Sequence, residues 1–157
     1  MKKIISLLNA LKTEKVTVTF APVNPMMIKQ AQNFFGFTFC SEYHWFLQTL
    51  GYLKVGRTKI CGIDRTSIFA SNCHSCIWET LKFRRCYSLS SQFTVIENCN
   101  NQWYFLLNHH NGKLYGFDAL ETRQGYLYQT ALAVEHHHFF DYLVAVLENA
   151  QNPSSTG

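Results

Sequence analysis

Cys73-His74-Ser75-Cys76 sets two thiols at a spacing where both sulfurs can reach one tetrahedral ion. A structural zinc site needs four ligands, and the sequence has no second Cys-x-x-Cys. Cys86 and Cys99 stand singly, and His109-His110 lies at a hairpin. A redox role needs the motif at a strand-to-helix junction of a βαβ unit, which the surrounding pattern does not supply. The motif therefore reads as reduced thiols packed at a helix start. His136-His137-His138 cannot converge on one ion from a helix, because successive side chains turn by about 100°. It reads as the solvated start of the last helix. Cys40 precedes a helix start, where a thiolate is stabilised, with His44, His109 or His110 as a base and Asp118 or Asp141 as an orienting carboxylate. That constellation would make a Cys-His hydrolase. No nucleophile signature surrounds Cys40, however, and Phe39, Tyr43 and Trp45 make a packing neighbourhood. The carboxylates are scattered without a close pair, and there is no phosphate-binding glycine loop. The sequence assigns no catalytic residue, no metal ligand and no cofactor.

The elements that must position these side chains are legible in the periodicity. Ile4, Leu7, Leu8 and Leu11 form one helical stripe. Val16, Val18 and Phe20 alternate with Thr17 and Thr19 as a short extended piece. Asn24-Pro25 starts a second helix, with Met27, Ala31, Phe34 and Phe35 as its buried stripe and Gly36 as its end. Ser41 is expected to cap a third helix carrying Tyr43, Phe46, Leu47 and Leu50, closed by Gly51. Lys54-Val55-Gly56-Arg57 is expected to turn between short strands, the second at Thr58–Ile63. A middle helix is expected from Ser71 or Asn72 to about Phe83, burying Ile77, Trp78 and Leu81. Strands follow at Phe93–Glu97, Gln102–Leu107 and Lys113–Phe117, with turn chemistry at Asn98–Asn101 and Asn111-Gly112. Tyr126–Leu132 is a further extended candidate, and Phe140, Leu143, Val144 and Leu147 mark a closing helix. Helices, then hairpin-joined strands, then a helix predict an α+β fold: an antiparallel meandering sheet flanked by N-terminal helices, a middle helix and a C-terminal helix. Residues 1–150 read as a single domain and 151–157 as a flexible tail.

The bulk chemistry excludes several classes. The chain has 157 residues, 47% of them apolar and 15% charged, with thirteen Phe. It is neither disordered nor collagen-like. The N-terminus is broken too early by Asn9, Lys12 and Glu14 for a signal peptide, and no run reaches membrane-spanning length. A cytoplasmic location with reduced thiols is expected. The net charge is +4. Its cations concentrate at Arg57 and Lys59 and at Lys82, Arg84 and Arg85, the candidate partner-binding residues. Trp78, Trp103 and the tyrosines could stack on bases, yet most aromatics lie on apolar stripes, so a nucleic-acid partner is disfavoured.

The segment Ala31–Gly51, with Phe35-Gly36, Glu42-Tyr43, Phe46-Leu47 and Gly51, resembles the opening signature of the SUKH superfamily, the Smi/Knr-type domains. Val55-Gly56 and Ile60-Cys61-Gly62-Ile63 look like its first strands. Thr80 and Arg84 fall where its middle helix carries such residues. Leu89–Ile96, Asn111-Gly112, Phe117-Asp118 and Phe139–Leu143 continue the match in order, and Cys40 replaces the family's usual proline. The resemblance implies an immunity protein of a bacterial toxin system. It would do no chemistry, and it would neutralise a cognate toxin domain by direct contact. The positive balance implies a target other than the strongly basic face of a nuclease. Two other classes stay open: a Cys- or metal-dependent enzyme, and a basic, aromatic nucleic-acid-binding domain.

Overall fold

The computed structural model describes residues 1–72, 74–120 and 132–152. Cys73, most of the Tyr126–Leu132 candidate strand and most of the 151–157 tail therefore lie outside the described residues. The first stripe folds as α1 (Lys2–Thr13), burying Ile4, Leu8 and Leu11. α2 (Pro25–Phe35) begins where expected: the Asn24 side chain accepts from the Met26 amide, and Pro25 opens the first turn. Gly36 ends it in the left-handed conformation, φ 78°, a backbone state that glycine enters without a Cβ penalty. Its buried stripe is Ile28, Ala31 and Phe35. Phe34, expected inside, is 42% exposed, because it is rotated about 100° from Phe35. α3 (Ser41–Thr49) starts one position earlier than read, with Cys40 in the cap position and no side-chain cap bond. Tyr43, Phe46, Leu47 and Leu50 are all essentially inaccessible.

β1 (Val18–Phe20), β2 (Leu53–Val55) and β3 (Thr58–Ile60) form one antiparallel sheet in that order. β4 (Phe93–Cys99), β5 (Trp103–Asn108), β6 (Leu114–Asp118) and β7 (Ala133–His136) form a second. The expected antiparallel meander is thus divided between two sheets. A bulge joins them. Pairing shifts between Val95 and Glu97, which takes Ile96 out of register, and its carbonyl accepts the Cys61 amide at 2.6 Å. One extra residue also swaps the faces of the strand. Before the bulge Val95 pairs with Leu106, and after it Glu97 pairs with Phe105.

Both faces of the second sheet are covered. On one side Ile96, Leu107 and Leu114 join the main core with α1, α2, α3 and α5 (Phe139–Gln151). On the other, Val95, Leu106 and Phe117 pack against Phe83 of α4 (Cys76–Cys86). This explains why these strands read as nearly continuous apolar runs. The cap of α4 falls three to four residues later than Ser71 or Asn72: it is Ser75, its hydroxyl accepting the Trp78 amide. Asn72 instead makes an Asx turn to the His74 amide and binds Asp64. Of the side chains expected on its buried face, Ile77 is buried, while Trp78 and Leu81 are only half-buried. The triple histidine is not a helix start as a unit. His136 ends β7, His137 lies between, and only His138 occupies the cap of α5.

Candidate functional site

The nucleophile and the bases of the Cys-His reading all lie among the described residues. Cys40 and His109 do come together across 69 residues, but through the backbone: the Cys40 amide donates to Nδ1 of His109 at 3.3 Å. That assigns the remaining ring proton to Nε2, which lies 2.8 Å from Thr94 Oγ1. With both ring nitrogens engaged, His109 sits among Phe37, Phe39 and Tyr43, ring centroids 5.0 to 5.3 Å away. Burial pushes its pKa down to about 3, leaving a weak base. The Cys40 thiol moves the other way from an activated nucleophile. Burial raises its pKa, helped by the Glu42 charge, and backbone hydrogen bonds only partly oppose this. His110 is exposed and His44 half-buried. Asp118 accepts the Leu120 amide at its turn, and Asp141 is exposed in the first turn of α5. Alkylation of Cys40 by iodoacetamide is therefore expected to be slower in the native protein than in urea at pH 7.5. Faster, selective labelling of the native thiol would revive the hydrolase reading.

Cys76, the second thiol of the Cys-x-x-Cys, is the first residue of α4 and inaccessible. Burial pushes its thiol up to about 12, the opposite of what a thiolate ligand needs. Cys99 is likewise pushed to about 12, by burial and by the neighbouring Glu97. Among the described residues no three His, Cys, Asp or Glu side chains are grouped to hold a metal ion. No described helix is long and apolar enough to cross a membrane.

The candidate cations divide by role. Arg57 lies at the exposed tip of the β2–β3 hairpin, and Lys59 is exposed on β3. On α4, Lys82 pairs with Glu79 at 3.3 Å. Arg84 reaches back to the carbonyls of Ser91 and Phe93 at 2.9 and 3.2 Å and lies over the Phe35 ring. Arg85 is exposed. Arg84 thus acts as a strut, and Thr80 is its counterpart one turn earlier, its hydroxyl accepting the Val95 amide at 2.9 Å. Together they clamp the start of β4 onto α4.

The residues that carry the sequence resemblance are joined by contacts across the fold. Glu42 accepts the Phe140 amide at 2.9 Å and lies 3.7 Å from His138. It caps α5 from 98 residues away, a carboxylate at the positive end of a helix. The Tyr43 hydroxyl donates to the Cys61 carbonyl at 2.9 Å. Ile63 donates to the Gly51 carbonyl at 3.1 Å, where Gly51 and Gly62 touch. A family model, SUKH_5, described as SMI1-KNR4 cell-wall, matches residues 1–151. The chain belongs to the SUKH family of SMI1-KNR4 proteins. No curated protein matches it.

In this SUKH domain the motif residues Glu42, Tyr43, Gly51 and Arg84 tie together elements far apart in the chain. Sequence reasoning missed two features. The Glu42 cap has no local signature, since its partner lies in the last helix. The exposure of Phe34 and Phe69, 42% and 60%, was hidden because both lie among apolar neighbours in sequence. Phe34 stands about 120° from Ile28 around α2, so the helical wheel carries the signal for its exposure.

Proposed function

We propose that this SUKH domain is an immunity protein that binds a cognate bacterial toxin domain and neutralises it by direct contact, in the cytoplasm and without chemistry of its own. The observation that carries the reading is the family match across residues 1–151. The inert placement of Cys40, His109 and Cys76 agrees with it. The contact residues are drawn from the cations at Arg57 and Lys59 and at Lys82, Arg84 and Arg85. Residues 1–150 act as one binding domain. The experiment is co-expression with the C-terminal domain of the toxin encoded beside it. A one-to-one complex and rescue of growth are expected. Absence of both, with any neighbouring toxin domain, overturns the reading.

A further inference from the structure

Two phenylalanines from different elements meet in solvent. Phe34 on α2 and Phe69 in the 64–72 loop pack edge to face, centroids 5.3 Å apart and planes at 80°, although 42% and 60% of their surfaces remain exposed. The loop is built to hold Phe69 out. Asp64 accepts from the Thr66 amide and hydroxyl and from Asn72, and Ser67 Oγ accepts the Phe69 amide. Phe34 in turn contacts Phe35, over which Arg84 lies, so the pair connects directly to the basic end of α4. Lone exposed hydrophobics are ordinary. Two rings pre-packed on rigid supports are the arrangement of a binding hot spot, because little rotamer freedom remains to be lost.

The surrounding charge is one-sided. α2, the 64–72 loop and α4 together carry Lys29, Arg65, Lys82, Arg84 and Arg85 against Asp64 and Glu79. Both carboxylates are engaged within the chain, Asp64 by its own loop and Glu79 by Lys82 and Asn98. Resting on the function proposed above, we infer that Phe34 and Phe69 are the anchor of the toxin-binding face, and that the bound toxin surface is an apolar pocket rimmed by carboxylates facing Arg65 and Arg85. The perpendicular rings offer an edge and one face, not a parallel platform on which successive bases stack. This favours a protein occupant.

The test compares three variants against wild type in titrations with the neighbouring toxin domain: Phe69→Ser, the double reversal Arg65→Glu/Arg85→Glu, and the control Lys2→Glu/Lys15→Glu, exposed lysines at the two ends of α1. Phe69→Ser is expected to weaken binding about thirtyfold or more with an unchanged melting temperature. The Arg65/Arg85 reversal should weaken it at least tenfold and flatten its salt dependence, while the α1 control should change it less than threefold. Should Phe69→Ser melt early, Phe69→Leu supplies the same comparison in a conservative form. Wild-type binding that Phe69→Ser and Phe69→Leu leave intact overturns this face and leaves the immunity reading standing. A wild type that neither binds nor rescues overturns both. Anisotropy with a fluorescent single-stranded oligonucleotide at 50 mM salt is the remaining arm. Tight binding there that is lost in Phe69→Ser would replace the protein occupant with nucleic acid.

Discussion

Gly62→Ala is expected to destabilise the fold severely. A Cβ at this position would stand 1.5 Å from the Gly51 carbonyl oxygen and 2.6 Å from its carbon. Neither side can yield. The Gly62 amide donates to the His74 carbonyl at 2.7 Å, its own carbonyl accepts from Cys76 at 2.8 Å, and Ile63 donates to Gly51. Gly62 is therefore where the strand leaving β3, the approach to α4 and the end of α3 pass one another backbone to backbone. Separating them would break those bonds and open the main core around Ile60, Ile63 and Cys76. A cost of about 4 kcal/mol or more is expected, a large share of a domain's total stability. For a chain of this size it should lower the melting temperature by roughly 10 °C or more. Gly36→Ala is the internal comparison. Its added Cβ meets nothing within 4 Å, so only the left-handed backbone is penalised, by about 1 kcal/mol. Equal melting temperatures for the two variants would refute the crossing argument.

Wild-type stability is expected to fall steeply between pH 6.5 and about 3, and His109 is the main source. Folded, it stays neutral down to about 3 because burial opposes its charge. Unfolded, it takes up a proton near its ordinary 6.5. A depressed native pKa contributes stability that is fully present above 6.5 and is lost as pH falls towards the native value. At about 1.4 kcal/mol per unit, the full loss is about 4 to 5 kcal/mol, of which about 3 kcal/mol falls by pH 4. His74 acts in the same direction, its pKa lowered by burial and by Lys59 and Lys54. Glu97 opposes. Buried and accepting from the Tyr142 hydroxyl, its carboxyl is raised, mainly by desolvation, so the native state favours its protonated form and gains as pH falls towards 4.5. Urea unfolding of wild type and His109→Gln at pH 7.5 and pH 4 separates the contributions. The variant should be the less stable protein at pH 7.5, having lost the ring contacts, and the gap should close or reverse at pH 4. Parallel curves for the two proteins would show that the imidazole does not drive the acid loss.

Both predictions concern residues whose importance arises from neighbours distant in sequence, and this marks how much could be read in advance. α1, α2 and α3 and the Phe93–Phe117 strands were legible because stripes, caps and turn residues act within about one helical turn. Asn24-Pro25 starting α2 and Gly36 ending it are local chemistry, and the structure has both. Asn100 and Asn101 take positive φ in the β4–β5 turn, as that composition suggested. The start of α4 was misplaced because Asn72 and Ser75 are both competent caps, and the contacts of Asp64 and Gly62 decided between them. Phe34 was assigned inside because apolar character alone does not fix rotation about α2. The link between the two sheets hangs on Ile96, one extra residue without a local signature.

The chemistry followed the same division. That two thiols, three histidines and a Cys-His pair were available was plain from residue types, and each looked reactive in isolation. Reactivity depends on desolvation, and desolvation depends on what the rest of the chain brings alongside. Cys40 lost its activation to burial, and His109 lost its basicity inside a ring of aromatics drawn from α3 and the segment before it. Short-range periodicity and motifs kept in order are enough to specify the α+β class, the family and most helix boundaries. Packing across the whole fold is what makes Glu42 the cap of α5, Arg84 a strut, and Phe34 and Phe69 neighbours in solvent. Those facts rest on contacts between residues far apart in the chain, where local pattern carries no information about distance or burial.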